Sequence, residues 1–217
     1  MIFENEFDYI IPLGFNCNSA QPCKITGSRK QKLPFDWMQI KNVDDSNKYL
    51  GYHKMLQDMF NDCLQFNIVK HNLGEFSILN YKAWIPHEQG DCDCDGIKEK
   101  YIKYFKRLKT ILESNKKILI VISEFDVKSY NENLVEIQKK YLENLYPNND
   151  YYFLTININN RYINTDRHLN VLINEREWCN DANGVGSAPF LEKSVEICKN
   201  IRLSNIKYII EVIPNEQ

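Results

Sequence analysis

The longest apolar runs in this chain of 217 residues, such as "ILIVI" at 118–122, are far too short to span a bilayer. No membrane is therefore expected as a partner. There is also no excess of basic residues. The 27 Lys and Arg stand against 29 Asp and Glu, giving a net charge of -2. Without a basic stripe, nucleic acid is not an expected partner either. The opening "MIFENEFDYI" is acidic and lacks the charge-then-apolar pattern of a secretory leader. Internal repeats and low-complexity linkers are missing. The glycines of "NGVGSAP" (183–189) have neither dinucleotide-loop nor P-loop spacing, so no nucleotide cofactor is expected. The seven cysteines are odd in number and scattered, which suits reduced thiols in a cytoplasmic compartment rather than a disulfide framework.

What is present is ordinary globular composition, 43% hydrophobic and 26% charged, in a chain long enough to bury a core as one domain. "FDYIIPLG" (7–14) reads as a strand that ends at Gly14. A short helix is expected to follow, with Pro22 in its first turn if Ser19 is the cap. Residues 43–60 read as a helix capped by Asp44, Asp45 or Ser46. From about 62 to 96 the period is closer to two than to 3.6. An irregular insert of short extended pieces is expected there, closed by a "DCDCDG" loop.

The clearest helix is 97–114. Ile97, Tyr101, Tyr104, Phe105, Leu108, Ile111 and Leu112 make one stripe along it. "KKILIVISEFD" is apolar without alternation, as a central parallel strand should be. A second amphipathic helix stops at Pro147. Strands at "DYYFLTIN" and "HLNVLINE", a helix at "APFLEKSVEICKNI" and a last strand at "KYIIEVI" complete the order. Alternation of this kind predicts an α/β three-layer sandwich with a largely parallel central sheet. Ligands of such sheets bind beyond the carboxyl ends of the strands, which here are Gly14–Cys17 and Ser123–Asp126.

Cys17 sits where a strand gives way to a helix. Unpaired amides and the helix dipole lower a thiol pKa, and they can also cradle an oxyanion. Gly14 lets the backbone turn and a substrate approach. Against this, a lone cysteine commonly serves as a small buried hydrophobe. His87, in "AWIPHEQ", is the best candidate base, with acidic Glu88 beside it. His53 reads as a surface residue in mid-helix, and His71 and His168 have no constellation around them. Asp36, in "PFDW" (34–37), is either an orienting or substrate carboxylate, or the partner of Arg29 or of an Asx-type turn. Phe35 and Trp37 flank it as apolar anchors. Glu124 and Asp126 either orient His87 or cap the next helix. Cys92, Cys94 and His87 invite a metal, but a structural zinc site needs a second ligand pair, and none is spaced for it; no metal is expected.

The segments "LGFNC" (13–17), "PFDWM" (34–38), "PHE" (86–88) and the helix around Arg107 together resemble the papain-like cysteine peptidase family, a domain of unknown function found in bacteria and large DNA viruses. The resemblance covers roughly the first 125 residues. It implies Cys17 as nucleophile and His87 as base. Glu88 stands where an Asp is common, and "SEFD" stands where a basic residue is expected. The combined expectation is a cysteine-dependent hydrolase or acyl-transfer enzyme without cofactor, acting on a carbonyl centre. Asn16 and nearby amides would hold the oxyanion, Asp36 would orient the base, and Gly14, Trp37 and Glu88 would meet substrate. Two alternatives stand beside it. One is a glycan- or nucleotide-binding module with Trp37, Trp84 and Trp178 as stacking platforms. The other is a virion-associated protein with an inactive site.

Overall fold

The computed structural model describes residues 5–14, 17–40, 50–86, 88, 92–124, 134–157, 164–173 and 189–204. Asn16, His87, Asp126 and Trp178 lie outside these residues, as do the expected caps at 44–46, the loop at 183–188 and the expected strand at 207–213. The first strands are β1 (Glu6–Phe7) and β2 (Tyr9–Pro12), followed by α1 (Ala20–Ile25). A 3-10 turn at Pro34–Asp36 leads to β3 (Gln39–Ile40), and α2 spans Leu50–Phe60. The insert holds β4 (Ile68–Lys70), β5 (Phe76–Ile78), a 3-10 turn at Leu79–Tyr81 and β6 (Ala83–Ile85). After it come α3 (Cys94–Leu112), β7 (Lys117–Glu124), α4 (Leu134–Leu145), β8 (Asp150–Asn157), β9 (His168–Leu172), α5 (Pro189–Cys198) and β10 (Arg202–Leu203).

The central sheet has the order β2-β7-β8-β9, and every pair in it is parallel. The inner strand β7 is apolar on both faces because both faces are covered. Ile118, Ile120 and Ile122 of β7 point into a cluster with α2, α3 and Leu142 of α4. Leu119 and Val121 point the other way, into a cluster with Cys23 of α1 and Phe190 and Cys198 of α5. Two helical layers thus enclose one sheet, as the alternation of elements predicted. Pro12 brings no N–H to the ladder and is accommodated because β2 ends the sheet order. No helix among the described residues is long and apolar enough to cross a membrane.

The strands of the insert join β3 in a small antiparallel sheet of order β3-β6-β5-β4. Phe76, Ile78, Ala83 and Ile85 face the main core, and Ser77 and Trp84 face outward. In α3 the seven stripe residues read from the sequence are all buried. The helix starts earlier than expected, however. Asp93 accepts the Gly96 amide at 2.8 Å and caps it, so the second half of "DCDCDG" is helix rather than loop.

Ser19 does occupy the N-cap position of α1, which leaves Pro22 in the first turn, but its hydroxyl makes no capping bond. It accepts the Ser123 amide instead, at 2.7 Å. Gly14 makes that possible. A Cβ there would stand 1.8 Å from Ser19 Oγ and 2.9 Å from Ser19 Cβ. Gly14→Ala should therefore push Ser19 off Ser123 and cost ~1–3 kcal/mol in a urea titration. A variant as stable as the parent would show that the contact is dispensable.

Candidate functional site

The carboxyl end of β2 is where three distant segments converge. Leu13 still pairs with β7, its amide donating to the Val121 carbonyl at 2.9 Å. The Leu13 carbonyl accepts from the Gln138 side-chain amide of α4 at 3.4 Å. The Gly14 carbonyl accepts from the Tyr52 hydroxyl of α2, which also reaches Met38 O at 3.3 Å. Together with Ser19–Ser123, these bonds fix the backbone on both sides of Cys17. Their rigidity comes from buried groups, since Tyr52, Gln138, Ser19 and Ser123 are all within about 1% of full burial.

Cys17 itself is half-buried. Its carbonyl accepts the amides of Ala20 at 3.1 Å and Gln21 at 2.9 Å. These are the helix-start donors that were expected to face the thiolate, and they are committed to the turn. Burial consequently raises the Cys17 pKa, and a bond from the residue's own backbone offsets this only in part. The net shift is therefore opposite to the lowering expected of a helix N-terminus. Burial of the corner also leaves two polar atoms without a hydrogen-bond partner, Ser123 Oγ and Gln138 Oε1.

The "PFDW" turn is structural at its centre. Phe35 is buried edge-on against Tyr52 and Phe105, with centroids 4.5 and 5.6 Å away. Asp36 is fully buried and ion-paired with Arg29, and its Oδ2 accepts the Leu33 amide at 2.9 Å. Of the two roles open to Asp36, the structure thus gives the partner of Arg29. Its Oδ1 is buried without a hydrogen bond. Burial lowers the Arg29 pKa from its ordinary value. Trp37 is half-buried with the Lys24 ammonium 5.7 Å from its ring centroid. Glu88 is ion-paired with Lys100 of α3, so its carboxylate is engaged by the scaffold rather than free for a substrate. Burial pulls the Lys100 pKa down, but the bond and charge of Glu88 outweigh it and the net shift is upward.

Two histidines differ from their reading in the sequence. His53 is 4% exposed rather than a surface residue, and it stacks on Tyr141 at 4.2 Å, with Nε2 unpartnered. Burial pulls its pKa down to about 4. His168 does have a constellation. Its Nε2 is 3.0 Å from Thr155 Oγ1, which donates to Asn170 Oδ1 at 2.8 Å, and Asn157 donates to the same oxygen at 2.6 Å. This polar network lies across β8 and β9. The sequence carried one signal for such groups: Gln138 interrupts the apolar stripe that continues through Leu142 and Tyr146 at helical spacing. No trio of His, Cys, Asp or Glu suited to a metal occurs among the described residues. Comparison with protein-family models, curated proteins and solved structures returns no match.

Two outcomes follow from these buried charges. Arg29→Met should strand Asp36 and cost about 3–5 kcal/mol by urea denaturation, and adding Asp36→Leu should restore much of the loss. A single variant that unfolds at the parental midpoint would contradict the pairing. His53 binds its proton more weakly folded than unfolded, so its contribution to stability is complete above pH 6.5 and lost as pH falls toward 4. His53→Phe keeps the ring stack and should flatten the fall in melting temperature across that window, with a slope from His168, whose pKa burial also lowers, remaining. An unchanged slope would contradict a neutral buried His53.

Proposed function

We propose that the chain is a cysteine-dependent hydrolase or acyl-transfer enzyme with Cys17 as nucleophile and His87 as general base. The observation that carries the reading is the placement of Cys17. A half-buried thiol stands at the carboxyl end of a parallel strand, on a loop held by Ser19–Ser123, Tyr52–Gly14 and Gln138–Leu13. Sites built on rigid elements hold reacting atoms to the tolerance catalysis needs. The "LGFNC", "PFDWM" and "PHE" segments, with their resemblance to papain-like cysteine peptidases, support the same reading.

The raised thiol pKa decides the manner of activation. A preformed thiolate–imidazolium pair needs a depressed pKa. Cys17 rests as a neutral thiol, so the proton leaves as the sulfur attacks. His87 accepts that proton while the C–S bond forms at the carbonyl carbon. The oxyanion is held by the Asn16 side chain and a loop amide, since Ala20 and Gln21 are committed elsewhere. Collapse expels the leaving group with the proton from His87, giving a thioester on Cys17. Water, deprotonated by the same imidazole, or another nucleophile then releases the acyl group. Asp36 stabilises the loop through Arg29. A reducing compartment, the cytoplasm, suits this chemistry.

p-Nitrophenyl acetate tests it. A burst of nitrophenolate should accompany an acetyl group that peptide mass mapping finds on Cys17. Cys17→Ala should abolish the burst, and His87→Gln should slow it ~10²–10⁴-fold. Acetylation spread evenly over exposed Cys63 and Cys92, or a burst that survives Cys17→Ala, would overturn the proposal.

A further inference from the structure

Two thiols that the proposed reaction does not use meet on the face of the sheet opposite α2 and α3. Cys23 lies on α1, and Cys198 is the last residue of α5. Both belong to the cluster that covers Leu119 and Val121, where they are 0% and 1% exposed. The two helices pack against each other there. The Cys198 thiol donates a hydrogen bond to the Cys23 sulfur, so the two sulfurs are neighbours. Neither is in a disulfide.

The backbone that carries each sulfur is tied down. The Cys23 carbonyl accepts the Arg29 amide at 3.0 Å, the Ser28 hydroxyl at 3.2 Å and the Thr26 hydroxyl at 3.3 Å. The Cys198 carbonyl accepts the Ile201 amide at 3.2 Å. Just beyond that turn β10 pairs with β1, which anchors the end of α5. Two sulfurs held in this way meet without the entropy cost of an encounter in solution. As packing alone, each would be a small hydrophobe. A thiol that donates to a second thiol adds a direction to the pair. The bond to Cys23, together with burial, raises the Cys198 pKa and keeps the proton there. Cys23 is the acceptor, and the Arg29 guanidinium is within electrostatic reach of it. A sulfur that accepts a hydrogen bond beside a cation is the one at which oxidation starts.

We propose that Cys23 and Cys198 form a modification site, at which hydrogen peroxide or a similarly small peroxide makes a reversible disulfide between α1 and α5. The Cys23 sulfur attacks one peroxide oxygen and the O–O bond breaks, giving a sulfenic acid on Cys23 and one water. The Cys198 sulfur then displaces the hydroxyl, which leaves with the Cys198 proton as a second water. Two thiols and one hydrogen peroxide thus become one disulfide and two waters, the sulfurs oxidised and the peroxide oxygens reduced. A dithiol reverses the bond by exchange. Cys17 takes no part, so the site is independent of the proposed hydrolase chemistry. In the oxidised chain α1, which follows the Cys17 loop, is joined covalently to α5.

Peptide mapping tests this on the full chain. The protein is treated with hydrogen peroxide, its remaining thiols are blocked with N-ethylmaleimide in denaturant, and tryptic peptides are read without reduction. The peptide 194–199, which holds Cys198, should be linked to the peptide that ends at Lys24, two hydrogens lighter than the sum, and dithiothreitol should release it. This link should exceed any other cysteine pairing about tenfold or more. Cys17 and Cys23 share the peptide that ends at Lys24, so a folded Cys17→Ala chain is mapped beside the parent and should give the same link. Recovery of Cys23 and Cys198 as maleimide adducts, while the exposed Cys63 and Cys92 have been oxidised, would overturn the proposal. So would loss of the link in folded Cys17→Ala, or either sulfur joined to other cysteines as often as to its neighbour.

Discussion

The Ser123 amide, at the carboxyl end of β7, is donated to the hydroxyl of Ser19, at the start of α1, over 2.7 Å. Across that bond the loop leaving β2 is held down on the neighbouring strand. Everything else at the corner is arranged around it. Gly14 has no side chain because Ser19 fills the space one would need. The α1 N-terminus forgoes its side-chain cap because the capping group is used here. The Cys17 carbonyl takes over the first helix amides, which leaves the thiol without them. One interaction between groups more than a hundred positions apart thus ties the loop that carries the sulfur to the neighbouring strand.

Burial raises the pKa of the half-buried Cys17 thiol and so favours its neutral form. In the proposed reaction such a sulfur would react when a bound carbonyl and a base act on it together. The buried pair Arg29–Asp36 and the ion pair Glu88–Lys100 belong to the frame around the corner. Their carboxylates steady the turns on which other residues act.

The layers of the fold were legible because they are written in local periodicity. The stripe of α3 from Ile97 to Leu112 and the unbroken apolar run of β7 each depend on residues within a few turns of one another. Most differences arose where a side chain serves a distant segment. Ser19 takes the N-cap position that the sequence left open to it, but its hydroxyl bonds Ser123 rather than the helix. His53 reads as surface from its neighbours, yet it is covered by Tyr141 of α4. Asp93 caps α3 through a local Asx contact that lay hidden in a run read as an acidic loop. At the corner, the sequence placed Cys17 between a strand and a helix and left open the pairing of Asp36 with Arg29, and both are seen. Tyr52 and Gln138 were not singled out: their partners are backbone carbonyls, and the one trace is the break that Gln138 makes in the apolar stripe of α4.

The central claim is that the Ser19–Ser123 contact positions Cys17 for attack. The most direct measurement is the rate of Cys17 acylation in Ser19→Ala, in a chain shown by circular dichroism to be folded. A displacement of the loop by an ångström should slow acylation about 10²-fold while leaving the fold in place. Acylation at the parental rate would contradict the account, because the sulfur would then owe its position to something other than this bond.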